Sequence, residues 1–149
     1  MKNILYCLGA LLSLTISTSH IQAQTPAKNK TFVLKAYQEM SDNHNTGYFA
    51  TGLGGYIPYW PGEGRRLKAA FAEYFAAIPD AKFIVENAIA EGNTVTVELL
   101  STGTLKNKFM DWEPSGKPFS FRSTHTLSFD NNGKISEGWP FPDPALYLR

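Results

Sequence analysis

Cysteine is nearly absent. The 149-residue chain holds one, Cys7, and it lies inside an apolar run near the N-terminus. That excludes disulfides, a thiol nucleophile and a thiolate zinc site from the rest of the chain. An excess of one charge is missing too: Lys+Arg of 14 against Asp+Glu of 13 leaves a formal +1. No one-signed field gathers nucleic acid or anionic lipid, so neither is expected as a partner. The apolar run, Ile4 to Ile16, falls short of the ~20 residues that a membrane-spanning helix needs. Low-complexity segments are lacking as well. What remains, 43% hydrophobic and 18% charged residues, is the composition of a globular chain long enough for one domain.

The N-terminus has the order of a secretory signal. Met1-Lys2-Asn3 is a short basic start, ILYCLGALLSLTI is the apolar segment, and STSHIQA ends in a small residue at Ala23. A core helix would alternate polar and apolar faces, and this run does not. Cleavage after Ala23 removes residues 1–23 with the only Cys, and the chain is expected to be exported to a periplasm or secreted. No stable membrane insertion is expected after that cleavage.

Residues 24–30 are polar and read as a flexible lead-in to a domain over 31–149. Asn29-Lys30-Thr31, at the junction of the two, is a formal glycosylation sequon. Thr31 is placed to cap a first helix of about ten residues, with Val33, Tyr37 and Met40 at helical spacing. The Asn-, Gly- and aromatic-rich stretch from Asp42 to Trp60 reads as loop with a short strand. A clearer helix follows in EGRRLKAAFAEYFAAI. It sets Leu67, Ala70, Phe71, Tyr74, Phe75 and Ile78 on one stripe and is stopped by Pro79-Asp80. From Lys82 the period changes to two: KFIVENAIAE and TVTVELLSTGT form a hairpin turning at Glu91 to Asn93. After a long connection with Trp112, PFSFRSTHTLSF is a third strand and, past Asn131-Asn132-Gly133, KISEGWPF a fourth. Pro140 and Pro142 restrict its last part to an edge or an exit. Two helices followed by antiparallel strands make an α+β domain with the helices on one face of a curved sheet.

Strand alternation gives the informative residue. Phe121, Leu127 and Phe129 share one parity, opposed by Ser120, Arg122, Thr124, Thr126 and Ser128, and His125 has the parity of the apolar set. It is therefore expected to face inward.

From Gly64 to about Asp143 the wording resembles the SnoaL-like polyketide cyclase family of the nuclear transport factor 2-like superfamily. The matching pieces are the helix ending in Pro79-Asp80, the turn Glu91-Gly92-Asn93, Gly103-Thr104 after the second strand, the PSGK turn, FSFRSTHTLSF and NGKISEGW. The resemblance implies a cone-shaped α+β barrel whose helices close over a strongly curved, mostly antiparallel sheet. It also implies an apolar pocket sized for a small ring compound, and a homodimer through the outer sheet face. Catalytic relatives carry a His or Asp on the strand before the last hairpin, here matched by His125, and a closing motif Glu-His-Trp-Asp. This chain reads Glu137-Gly138-Trp139-Pro140, so the His and the Asp of that motif are replaced.

Two functions follow as expectations. One is cofactor-free acid/base catalysis of cyclase or isomerase type, with His125 as base and Asp143 as a substitute acid. The other is a non-catalytic module that binds a small hydrophobic ligand or dimerises. For His125, a neutral base in an apolar cavity stands beside a buried His bonded to a hydroxyl such as Ser123 or a Tyr. Asp143, between two prolines, reads also as an exposed turn carboxylate. Tyr56, Trp60, Phe75, Trp112, Phe121 and Trp139 are candidates for the ligand's apolar wall, or for plain core. His44, in a polar loop, reads as solvated. No metal ligand set and no cofactor loop is present.

Overall fold

The computed structural model describes residues 25–54, 67–109 and 111–141. Its elements are α1 (Pro26–Asn43), β1 (Phe49–Gly54), α2 (Leu67–Ala77), β2 (Lys82–Glu91), β3 (Thr94–Thr104), β4 (Pro118–Phe129) and β5 (Ile135–Phe141). The strands form one sheet in the order β1-β5-β4-β3-β2, antiparallel throughout except for the parallel pair β1–β5. This is the α+β arrangement expected from the sequence, with helices on a mostly antiparallel curved sheet. No described helix is long and apolar enough to cross a membrane.

The first helix begins earlier than Thr31. Thr25 is its N-cap, accepting from the Lys28 N–H at 3.3 Å, and Pro26 occupies the first turn, where a missing N–H costs nothing. Residues 26–30 are thus helical, which corrects the lead-in expected there. Thr31 lies inside the helix, its hydroxyl donating to the Ala27 carbonyl at 3.0 Å. His44 ends α1 in the left-handed region, at φ 52°, with its N–H on the last-turn carbonyls. The inward stripe is Asn29, Val33, Ala36, Tyr37, Met40 and Ser41, all buried.

The strands carry the other half of the core. Val95, Val97 and Leu99 of β3 are fully buried, with Leu127 and Phe129 of β4 beside them. The β2–β3 turn is two residues, with Gly92 at φ 53° as the first central position of such a hairpin favours. A bulge between Val85 and Asn87 shifts the parity of β2, so Phe83 and Val85 lean inward before it and Ala88 and Ala90 after it. β2 is the edge of the described sheet, and Ser41 covers part of it. The Ser41 hydroxyl accepts from the Phe83 N–H at 2.7 Å and donates to the Phe83 carbonyl at 3.0 Å.

Only the first half of the last strand is interior. β1 pairs with it at Phe49↔Ile135 and Gly54↔Glu137, so its first half lies between two neighbours. Pro140 falls beyond that pairing, where it interrupts no described ladder to β1.

Gly103, on the inner face of β3, lies against the segment that follows α2. A Cβ there would meet Ile78 Cγ2 at 2.5 Å, Phe119 Cζ at 3.2 Å and the Ala81 Cα at 3.4 Å. Gly103→Ala is expected to cost about 1–3 kcal/mol through overpacking. A urea midpoint lowered with the slope unchanged is the expected observation; an unaltered midpoint would show that the helix end yields freely.

Candidate functional site

The alternation of β4 sends Phe121, Ser123, His125, Leu127 and Phe129 into the interior. Four of these five are buried, while His125 keeps accessible surface and is half-buried. Its neighbours across the ladders are Val97 on β3 and Pro140 on β5. The ring thus lies on the inner face and keeps some accessible surface, unlike the other inward side chains of this strand.

Both ring nitrogens are engaged. The phenol oxygen of Tyr37, from the buried stripe of α1, lies 2.8 Å from Nδ1, and the Ser123 hydroxyl lies 3.1 Å from Nε2. The buried-His arrangement with Ser123 and a tyrosine is therefore present, with Tyr37 as the tyrosine. Burial pushes the His125 pKa down from 6.5 to about 4, because the surrounding protein disfavours the imidazolium. Burial likewise pushes the Tyr37 phenol far above its ordinary value, so it stays protonated. The site is uncharged at neutral pH.

Aromatic rings extend from this pair. Tyr37 meets Phe83 at 6.3 Å between ring centres, and Phe83 meets Tyr74 at 5.8 Å and Phe75 at 6.1 Å. Tyr74 takes the edge of Phe109 at 5.6 Å, and Phe109 holds Trp112 at 5.6 Å. Phe75 and Trp112 are thus connected to His125 through one continuous set of rings. Phe75 is buried and also stacks on the exposed ring of His44, at 4.2 Å. Phe121 is buried on β4 and stacks on Phe119 at 5.7 Å. The backbone of Trp139 stands opposite Thr126 in the β4–β5 register. Tyr56, Trp60 and Asp143 lie outside the described residues, as does the side chain of Trp139.

Other side chains take positions that bear on the sequence readings. Glu137 is exposed, paired in register with Ser128, and does not point inward. Gly138 is buried opposite Leu127, and a Cβ there would meet Leu127 Cδ2 at 3.3 Å. The space that the resemblance assigns to a His is thus bordered closely by leucine. Asn29 is fully buried, so the sequon at 29–31 is closed to modification in the folded chain, and its carboxamide atoms have no partner among the described residues. Among the described residues no three His, Cys, Asp or Glu side chains converge on one point. Tyr37 and Phe83 were unmarked as site residues in the sequence. Their only signals were inward positions on α1 and β2, which any core residue shares.

The SnoaL-like polyketide cyclase family matches residues 60–149. Solved structures are similar over most of the chain. A protein assigned as a SnoaL-like polyketide cyclase from Jannaschia sp. is 23% identical, with TM-score 0.66, covering 80% of this chain and 90% of its own. AclR from Streptomyces galilaeus, assigned as a hydroxylase, is 21% identical with TM-score 0.65, covering 78% and 89%. SalBIII, an epoxide hydrolase/cyclase-like enzyme with a role in pyran-ring formation in the polyether salinomycin, is 17% identical with TM-score 0.61, covering 77% and 90%. No curated protein matches.

The unfolded chain binds a proton at His125 near pH 6.5 and the folded chain near 4. Between those values the unfolded state holds more protons, so stability rises with pH across that window and is flat in this group above it. The stability lost on acidification through it is on the order of 3 kcal/mol at most. NMR titration of the His125 ring is expected to give a midpoint near 4; a midpoint near 6.5 would contradict the enclosure of the ring.

Proposed function

Since the chain belongs to the SnoaL-like polyketide cyclase family, we propose that it is an exported protein whose apolar interior holds a small hydrophobic ligand against His125. The observation that carries this reading is the accessible surface that His125 retains on an inner face whose other residues are more deeply buried. Around it stand aromatic rings, which give a ring compound broad apolar contact, and a neutral hydrogen-bonding pair, which fixes orientation. The basic start and apolar run over residues 1–23 support export. Homodimerisation fits the outer sheet face, where Ile84, Ile89 and Phe141 are 49%, 66% and 76% exposed.

Binding is favoured over turnover by what faces the imidazole. Both nitrogens are occupied by hydroxyls, and the register position across from His125 is Pro140, where catalytic relatives carry an Asp. One observation favours cofactor-free acid/base catalysis as a second reading: a neutral imidazole with a lowered pKa stays unprotonated at any physiological pH, the form a base must have.

Small ring compounds are expected to raise the melting temperature of the mature protein and to shift the His125 resonances. Silence of both observables across a broad panel would contradict the ligand reading. His125→Ala should retain the fold and, under the catalytic reading alone, abolish any turnover found in such a screen. Export has its own check. The mass of the protein recovered outside the cytoplasm should begin at Gln24, and a mass retaining residues 1–23 would contradict cleavage.

A further inference from the structure

Tyr37, His125 and Ser123 form a chain of three groups whose protons can be counted. A neutral imidazole has one N–H and one lone pair, so one hydroxyl donates to it and the other accepts from it. Tyr37 and Ser123 have no second hydrogen-bond partner among the described residues. Whichever hydroxyl accepts therefore keeps its own proton without an acceptor among the described residues, in a place 3% exposed for Tyr37 and 4% for Ser123.

The two assignments are unequal. A phenol is the more acidic donor and makes the stronger bond to an imidazole lone pair. Its proton is confined to the ring plane, while a serine proton turns freely about Cβ–Oγ. Tyr37 therefore donates to Nδ1, the imidazole carries its proton on Nε2, and Nε2–H donates to the Ser123 oxygen. The unmet proton belongs to Ser123. It stands next along the inner face of β4 from the one inward residue of Phe121–Phe129 that keeps accessible surface.

We propose that Tyr37 is a positioning residue that sets the His125 tautomer, and that Ser123 thereby becomes the hydrogen-bond donor to a carbonyl oxygen on an otherwise apolar ligand. The proposal rests on the ligand reading above and deepens it by naming the chemical group recognised. An acceptor oxygen supplies what the Ser123 proton lacks, whereas a hydrocarbon leaves it unmet and an ammonium has nothing to offer it. His125 serves as the relay that fixes the polarity of the chain and does not itself face the ligand with a free lone pair.

The probes are 1-tetralone and its hydrocarbon counterpart tetralin, with the full mature protein. Wild-type protein should prefer tetralone by about tenfold, the worth of one hydrogen bond to a buried donor. Ser123→Ala should reduce that preference to about one while tetralin still binds. Tyr37→Phe should reverse the tautomer, placing the proton on Nδ1 and making Ser123 the donor to Nε2, and so lose the preference with Ser123 still in place. Long-range proton–nitrogen spectra read the tautomer directly and need no ligand. A proton on Nδ1 in the wild type would overturn the role of Tyr37, and an undiminished preference in Ser123→Ala would overturn the role of Ser123. Wild-type protein that binds neither probe would overturn the carbonyl assignment together with the ligand reading, while the tautomer spectrum would still decide Tyr37. Retained circular dichroism and hairpin amide shifts in both variants separate these outcomes from loss of fold.

Discussion

The 2.8 Å contact between Tyr37 and His125 is the constraint on which the site depends. It is the polar tie between the buried face of α1 and the inner face of β4, made where both groups have given up most of their water. A polar group in that situation is costly unless paired, so each residue requires the other. Burial holds the phenol protonated and the imidazole neutral, and the absence of charge lets aromatic rings close around them. From Tyr37 the ring contacts run through Phe83 to Tyr74 and Phe75, and so from the sheet to α2.

Much of the fold was legible because one period ruled each segment. The strand PFSFRSTHTLSF occupies Pro118–Phe129 as its alternation implied, and the Gly92-Asn93 turn joins β2 to β3. The apolar stripe of α2 ends where Pro79 forbids continuation. The start of α1 was hidden by composition: a polar segment rich in Lys and Asn resembles a tail, although Thr25-Pro26 is a sound cap and first turn. The bulge in β2 breaks alternation by one residue, which no pattern of apolar positions in ENAIAE distinguishes. The interior place of the first half of β5 depends on a parallel partner from the far end of the chain, which no local pattern announces, while Pro140 falls in the part that pairs with β4 alone.

The site was legible in one residue and its immediate neighbour. Parity marked His125, and proximity marked Ser123, two positions away on the same face. Tyr37 stands 88 residues from His125 in sequence, and its inward position on α1 looked like any other core position. Trp112 and Phe75 join the same set of rings, but through Phe109, Tyr74 and Phe83, whose roles arise only from tertiary packing. The replaced closing motif gained a physical meaning in the structure. Gly138 stands opposite Leu127, whose side chain borders the place that the resemblance gives to a His, and Pro140 is the register partner of His125. A shared fold leaves the chemistry open, and these residues narrow it.

The central claim is that His125 lines a space that a ligand enters. The most direct measurement is a nuclear Overhauser spectrum of mature protein with labelled histidine rings in the presence of bound 1-tetralone. The account predicts cross-peaks between tetralone protons and the His125 Hε1. Binding that shifts other resonances while leaving His125 without such cross-peaks would place the ligand elsewhere and contradict it.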